Sequence, residues 1–271
     1  MKYYKNIIIR FNKYVSTFSN NLYCKIWNFI FLITNKDVRL NVTNNGNAIL
    51  VSDNENKILI SQKLRAWFYF KSIKNRLNSL GRMYFFDRIL FSENDIIIDC
   101  GANIGEIYKS IKLFNNKSFY YYGFEPVDSE FGLVQLNTKN QISRPLALFN
   151  KNINKKIYLH IAGADSTLLQ DDRYDEGDFV ECIRLDSLTE LHNKKIKLLK
   201  LEAEGSELQV LEGCGDVLQN IEYISADLGF ELDQGKKSNE AEVSEFLLEN
   251  NFYKVASNKR YVNLFKNKQN F

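Results

Sequence analysis

Residues 95–106 read DIIIDCGANIGE: three consecutive isoleucines, an acid, and two glycines four positions apart with an asparagine between them. An unbroken β-branched run fits a strand buried on both faces, as strands of parallel sheets are. Gly101 and Gly105 then permit a tight turn and the close approach of a following helix. The stretch therefore predicts strand, turn and helix, the opening unit of an α/β domain. Working outward, further apolar strands are expected at 118–125 (SFYYYGFE), 144–149 (RPLALF), 196–202 (IKLLKLE) and 222–228 (EYISADL), alternating with helical stretches. That alternation implies a mostly parallel sheet covered on both faces. FYKVAS (252–257) and RYVNLFK (260–266), joined by Asn258 and Lys259, predict a terminal hairpin. KKIYLHI (155–161) and FVECIRL (179–185) flank a polar loop and suggest a further pairing.

The remaining chain is organised differently. VRLNVTNNGNAILVSDNENKILIS (38–61) reads as a small antiparallel hairpin or meander. Leu64, Phe68, Ile73, Leu77, Leu80 and Tyr84 recur near helical spacing, with Lys71, Lys74 and Arg76 largely between them, which predicts an amphipathic helix. We therefore expect an N-terminal extension over 1–90 and a main domain over 91–271. A length of 271 residues suits one core with an appendage.

Composition narrows the function classes. Hydrophobic residues at 45% and charged residues at 25% describe a folded chain. A formal charge of +3 is too small to argue for nucleic acid as a partner. Cys24, Cys100, Cys182 and Cys214 form no C-x-x-C pair, so a reduced, cytoplasmic setting is the expectation. The longest apolar run, Ile26 to Ile33, falls well short of the ~20 residues of a membrane span. The opening MKYYKNIIIRFNK lacks the cleavage site of a signal peptide. Residues 22–33 have two readings, a plain docking helix and an interfacial helix making peripheral membrane contact.

The residues within and beside the glycine turn bear on its ligand. The dinucleotide fingerprint G-x-G-x-x-G places its second glycine against a pyrophosphate; Asn103 stands there instead. Asp99, at the strand's end, would repel a phosphate. S-adenosylmethionine carries a sulfonium and an ammonium group and no phosphate, so an acid nearby is favourable. Asn103 offers a donor and an acceptor to its amino-acid end. Glu125 ends the second strand, 20 residues beyond Gly105, where an acid accepts from ribose hydroxyls. Asp99, Gly101, Asn103, Gly105 and Glu125 are thus the candidate cofactor residues.

Later acids supply candidate chemistry. If the strand before KLEAEGSE persists, Glu202 and Glu204 project to one side beside the cofactor and raise one another's pKa, which suits a general base. Asp227 is a further acid at a strand tip. Glu207 fits a helix start, and Asp186 a cap for the following SLTEL helix. Lys200 is expected to pair with a carboxylate. His160 and His192 read as structural. No His/Asp spacing spells a metal site, although clustered acids could hold Mg²⁺.

D-C-G-A-N-I-G (99–105), F-E-P (124–126), R-L-D-S-L (184–188) and K-L-E-A-E-G-S-E (200–207) resemble, in that order, the motifs of the FkbM family of S-adenosylmethionine-dependent methyltransferases. The resemblance covers about residues 90–231. It implies a class I methyltransferase (Rossmann-like) sheet of seven strands, the last antiparallel, and O-methylation, commonly of a sugar or polyketide hydroxyl. The acceptor would then be a small molecule or glycan, with residues 38–90 and 162–178 shaping its pocket. One departure stands out: the family's K-x-D-x-E-G has Asp where this chain has Glu202.

Two other readings stand beside this one. A nicotinamide-dependent sugar enzyme would want Y-x-x-x-K, and Tyr108 with Lys112 supplies that spacing, but in the helix directly after the glycine turn. An inactive subunit of a glycan-assembly complex would keep the cofactor-shaped turn without turnover. Nothing in the sequence specifies an oligomeric state.

Overall fold

The computed structural model describes residues 2–139, 141–159, 166–170, 175–230, 232 and 237–269, with backbone only over 2–7. The chain divides into two compact units, Met1–Ser79 and Leu80–Phe271.

In the first unit, helices α1 (Lys2–Val15) and α2 (Asn20–Ile33) accompany an antiparallel meander of β1 (Arg39–Val42), β2 (Ile49–Ser52) and β3 (Lys57–Ile60). Buried Asn12 joins the two helices: its Oδ1 accepts from Tyr23 Oη at 2.8 Å and Trp27 Nε1 at 3.1 Å. Its Nδ2 donates to Leu64 O at 3.3 Å, so the polar group is enclosed with its partners. The amphipathic helix expected through 64–84 is two elements, a 3-10 segment (Lys63–Tyr69) and α3 (Ile73–Met83). Ser72 explains the break, since its Oγ accepts from Asn75 N at 3.0 Å as an N-cap. Asp53 Oδ2 accepts from Ile73 N at 3.0 Å, and the helix restarts there.

The second unit is built on a seven-stranded sheet. Its elements are β4 (Asp95–Cys100), α4 (Glu106–Phe114), β5 (Phe119–Phe124), α5 (Asp128–Asn137) and β6 (Ile142–Arg144). An insert follows, with strands β7 (Ala147–Leu148), β8 (Ile153–Leu159), β9 (Ser166–Thr167) and β10 (Asp175–Ile183), which form their own sheet in the order β7-β10-β8-β9. The large sheet resumes with β11 (Ile196–Leu201), α6 (Glu207–Glu212), β12 (Ile221–Asp227), α7 (Glu240–Glu249), β13 (Phe252–Ser257) and β14 (Val262–Asn267). Its order is β13-β14-β12-β11-β4-β5-β6, with β14 antiparallel to both neighbours and the pairings from β12 to β6 parallel. This is the class I methyltransferase sheet.

Strand periodicity accounts for the two-sided core. Ile98 and Leu199 pack with Ile224 on one face, while Ile97 and Leu198 pack with Tyr121 and Leu264 on the other. Two expectations need correcting. Residues 144–149 are not one strand: β6 ends at Arg144 in the large sheet and β7 begins in the small one, because Pro145 has no N–H to continue the ladder. SLTEL is not an α-helix; Leu185–Ser187 and Thr189–Leu191 are single 3-10 turns.

From β4 the chain proceeds to β5 and β6 on one side, and from β11 to β12 and β14 on the other. The carboxyl ends of β4 and β11 therefore flank the topological switch point, where open α/β sheets bind ligands.

Candidate active site

At the end of β4 the backbone turns through three residues of positive φ, Gly101 (72°), Asn103 (50°) and Gly105 (80°). A Cβ at Gly101 would lie 2.1 Å from the Glu202 carbonyl oxygen, a backbone atom that cannot swing aside. Glycine is thus required where the two loops of the switch point touch. Gly101 N and Ala102 N donate to Phe124 O at 3.1 and 2.9 Å, Asn103 N to Glu125 Oε2 at 2.7 Å, and Gly105 N to Ala102 O at 2.8 Å. These four N–H groups are already engaged within the protein, so they do not form the open cradle that a pyrophosphate needs. Buried Glu106 opens α4, a further acid at the turn.

Glu125 follows β5 and is buried. Its Oε1 accepts from Val127 N at 2.9 Å and its Oε2 from Asn103 N. A carboxylate has about four acceptor sites, so capacity remains for two hydroxyl donors. Burial pushes its pKa up to about 8, against the opposing pull of the Val127 and Asn103 N–H groups.

Asp99 lies deeper than expected. It is fully buried, with Oδ2 accepting from Tyr121 Oη and Oδ1 3.1 Å from Lys200 Nζ. Lys200, on β11, is equally enclosed and donates to Cys100 O at 3.0 Å and Gly101 O at 2.7 Å. It also pairs with Glu202 Oε2 at 3.0 Å. Burial alone would lower the lysine pKa, but Asp99 and Glu202 outweigh it and hold the ammonium above its ordinary range. Lys200 thus binds β11 to the turn of β4. Tyr84 Oη, fully enclosed, lies near Glu202, and burial followed by the charges of Glu202 and Asp227 raises its pKa. Within this network Glu202 is the member with solvent access, its side chain 37% exposed.

The acid pair at 202 and 204 is not the extended arrangement expected. β11 stops at Leu201, and Glu204 (φ 46°) with Gly205 (φ 98°) forms a left-handed turn. The two side chains therefore do not share one face of a strand, and Glu202 has Lys200 for its neighbour. Glu207 is buried and fixes this turn: its Oε1 accepts from Ala203 N at 2.7 Å and Gly205 N at 3.2 Å, and its Oε2 takes Asn239 Nδ2. Thr167 Oγ1 donates to Glu204 O at 2.8 Å, so the insert reaches the same loop.

Other candidates serve the framework. Asp186 is held by Arg184, and His192 Nε2 meets Asp186 O at 2.7 Å. Tyr108 packs edge-on against Phe119 and Tyr121, and Lys112 lies over Phe119, so the Y-x-x-x-K pair stands among aromatic rings of the β5 face. Asp227 ends β12 near Tyr84. His160 lies outside the described residues. Among the described residues no cluster of three or more His, Cys, Asp or Glu could hold a metal, and no helix is long and apolar enough to cross a membrane. Tyr84 and Tyr121 were absent from the sequence-derived set; the alternation in SFYYYGFE signals that Tyr121 faces inward, whereas nothing local marks Tyr84.

A family model described as Methyltransferase FkbM domain matches residues 99–253. Among solved structures, the chain is similar to a methyltransferase FkbM from Methylobacillus flagellatus KT at 14% identity and TM-score 0.49, covering 75% of this chain and 53% of that one. The chain thus spans about half the length of that relative. A ribosomal protein L11 methylase from Lactobacillus delbrueckii subsp. bulgaricus matches at 13% identity and TM-score 0.39, covering 72% of this chain and 79% of the other. A SAM dependent methyltransferase from Aquifex aeolicus matches at 11% identity and TM-score 0.39, covering 71% and 96%. No curated protein matches the chain.

Proposed function

The chain belongs to the FkbM methyltransferase family, and from that premise we propose that it transfers a methyl group from S-adenosylmethionine to a hydroxyl, that of a sugar in a surface glycan or a natural product. The observation that carries the donor assignment is the turn itself. Four of its backbone N–H groups are engaged, its neighbouring acids are Glu106 and Glu125, and the nearby lysine is paired with Asp99 and Glu202. Two carboxylates paired to one lysine leave a net negative charge beside the turn, which disfavours a phosphate and favours a cation. S-adenosylmethionine fits that donor set: Glu125 would hold its ribose hydroxyls, and Gly101, Asn103 and Gly105 would line its approach. When bound it supplies an electrophilic methyl group on a sulfonium.

The protein's own residues provide alignment and proton removal. Gly101 lets the donor turn and the Glu202 loop close on one another, which places both reactants with little orientational freedom left to lose. Glu202 is the proposed general base, the exposed acid at the rim of an otherwise sealed network. Glu204, on the turn beside it, is proposed to contact the acceptor. Asp99 acts through Lys200, as a positioning residue.

Thermal shift tests the donor assignment. S-adenosylhomocysteine at about 100 times its Kd should stabilise the fold by about 2.7 kcal/mol, whereas NAD⁺ should not; a shift with NAD⁺ alone would overturn the reading. Comparing surface glycans of cells with and without the gene by mass spectrometry should show one missing methyl group.

A pH dependence follows from Glu125. A folded-state pKa of about 8, above its ordinary 4.5, means that its contribution to ligand-free stability is complete below pH 4.5 and is lost as pH rises through 8. Binding runs the other way, because ribose hydroxyls donate best to the ionised carboxylate. Affinity for S-adenosylhomocysteine should rise about tenfold between pH 7 and 9, as the ionised fraction goes from about a tenth to about nine tenths. Calorimetric titration of Glu125→Gln, whose side chain does not titrate, should lose that rise; an unchanged slope would assign the proton elsewhere.

A further inference from the structure

The first unit presents two features that methyl transfer does not use. Over residues 1–79 it carries thirteen Lys and Arg against three Asp and Glu, a formal charge of +10, whereas residues 80–271 carry 23 against 30, a formal −7. The overall +3 hides this division. Second, α2 is apolar on two sides. Tyr23, Cys24, Trp27 and Phe31 are buried, while Leu22, Phe29, Leu32 and Ile33 are exposed, the last three at 62%, 64% and 65%. Positions 22, 29 and 33 are separated by seven and four residues and 29 and 32 by three, so they share one helical face. Exposed Lys25 falls on that face, three residues after Leu22 and four before Phe29. On α1, Ile9 and Tyr14 are exposed beside Arg10 and Lys13.

We propose that the outer face of α2, with its basic surround, lies on the surface of an anionic lipid bilayer. Large aliphatic and aromatic side chains left in water mark an interaction surface, and cations among them select what covers it. A bilayer interface takes up the apolar residues at its acyl boundary and attracts the lysines and arginines through its headgroups. A nucleic acid would use the charge but has no place for Phe29, Leu32 and Ile33 together. A second copy of the chain would bring +10 against +10. The proposal is independent of the methyl-transfer reading, since none of these residues belongs to the site.

Flotation of the full-length protein with vesicles tests it. Vesicles of phosphatidylcholine with a third phosphatidylglycerol should carry the protein, pure phosphatidylcholine should not, and binding should weaken as salt rises. Phe29→Ser with Leu32→Ser should weaken binding about tenfold or more at unchanged melting temperature, since both side chains are exposed. Lys13→Glu with Lys25→Glu should weaken it comparably. No partition onto anionic vesicles at low salt would overturn the proposal. So would equal partition by the double-serine protein, tight duplex-RNA binding in place of vesicle binding, or a wild-type dimer that the serine substitutions dissociate.

Discussion

Lys200→Met is expected to destabilise the second unit by about 3–5 kcal/mol, the cost of leaving a buried charge without its partner. Asp99 is fully enclosed and would keep only the Tyr121 hydroxyl, while the Cys100 and Gly101 carbonyls would each lose a donor. For a domain of this size that loss lowers the melting temperature by about 10 °C. Differential scanning calorimetry provides the number. Adding Asp99→Asn to Lys200→Met should recover part of the loss, because the uncompensated charge disappears with its carrier. A drop of less than about 1 kcal/mol for the single variant would mean that the lysine can be spared and that the switch point is held by backbone pairing alone.

Glu202→Gln is the second expectation, and it separates binding from turnover. S-adenosylhomocysteine affinity should stay within about twofold of wild type, because the Glu202 carboxylate is held by Lys200, whereas Glu125 is fixed separately by the Val127 and Asn103 N–H groups. Turnover should fall about 10²–10⁴-fold, the usual share of a positioned general base. Release of S-adenosylhomocysteine with the acceptor identified by the glycan comparison measures turnover, and calorimetric titration measures affinity. Retained turnover would remove the base assignment, and a parallel loss of affinity would make Glu202 part of the donor site. Glu202→Asp adds a useful comparison: it restores the family's residue type but draws the carboxylate back by one methylene from the 3.0 Å contact with Lys200.

Much of the fold could be read locally. Ile96, Ile97 and Ile98 followed by Gly101 announced a buried parallel strand and its turn, and Asn258 with Lys259 announced the terminal hairpin, because both signals depend on neighbours within a few residues. Pro145 is an equally local signal, and it is the residue that divides two sheets. The acidic loop is a related case. The Glu204-Gly205 dipeptide favours a left-handed turn, yet the apolar pattern before it suggested that the strand continues. What no local pattern could supply is the network around Lys200, whose partners Asp99 and Gly101 lie about a hundred positions earlier. Ser225 Oγ donates to Tyr84 O at 2.8 Å across 141 positions, so the placement of that tyrosine is a property of the assembled sheet.

The insert between β6 and β11 touches the Glu204 carbonyl through Thr167, whereas the donor turn is fixed from inside by Phe124, Glu125 and Lys200. Such an arrangement is modular. If the proposed O-methyl transfer holds, grafting a relative's β7–β10 segment should change the acceptor used while leaving S-adenosylhomocysteine affinity unaltered, and a designer seeking a new regiochemistry would begin there.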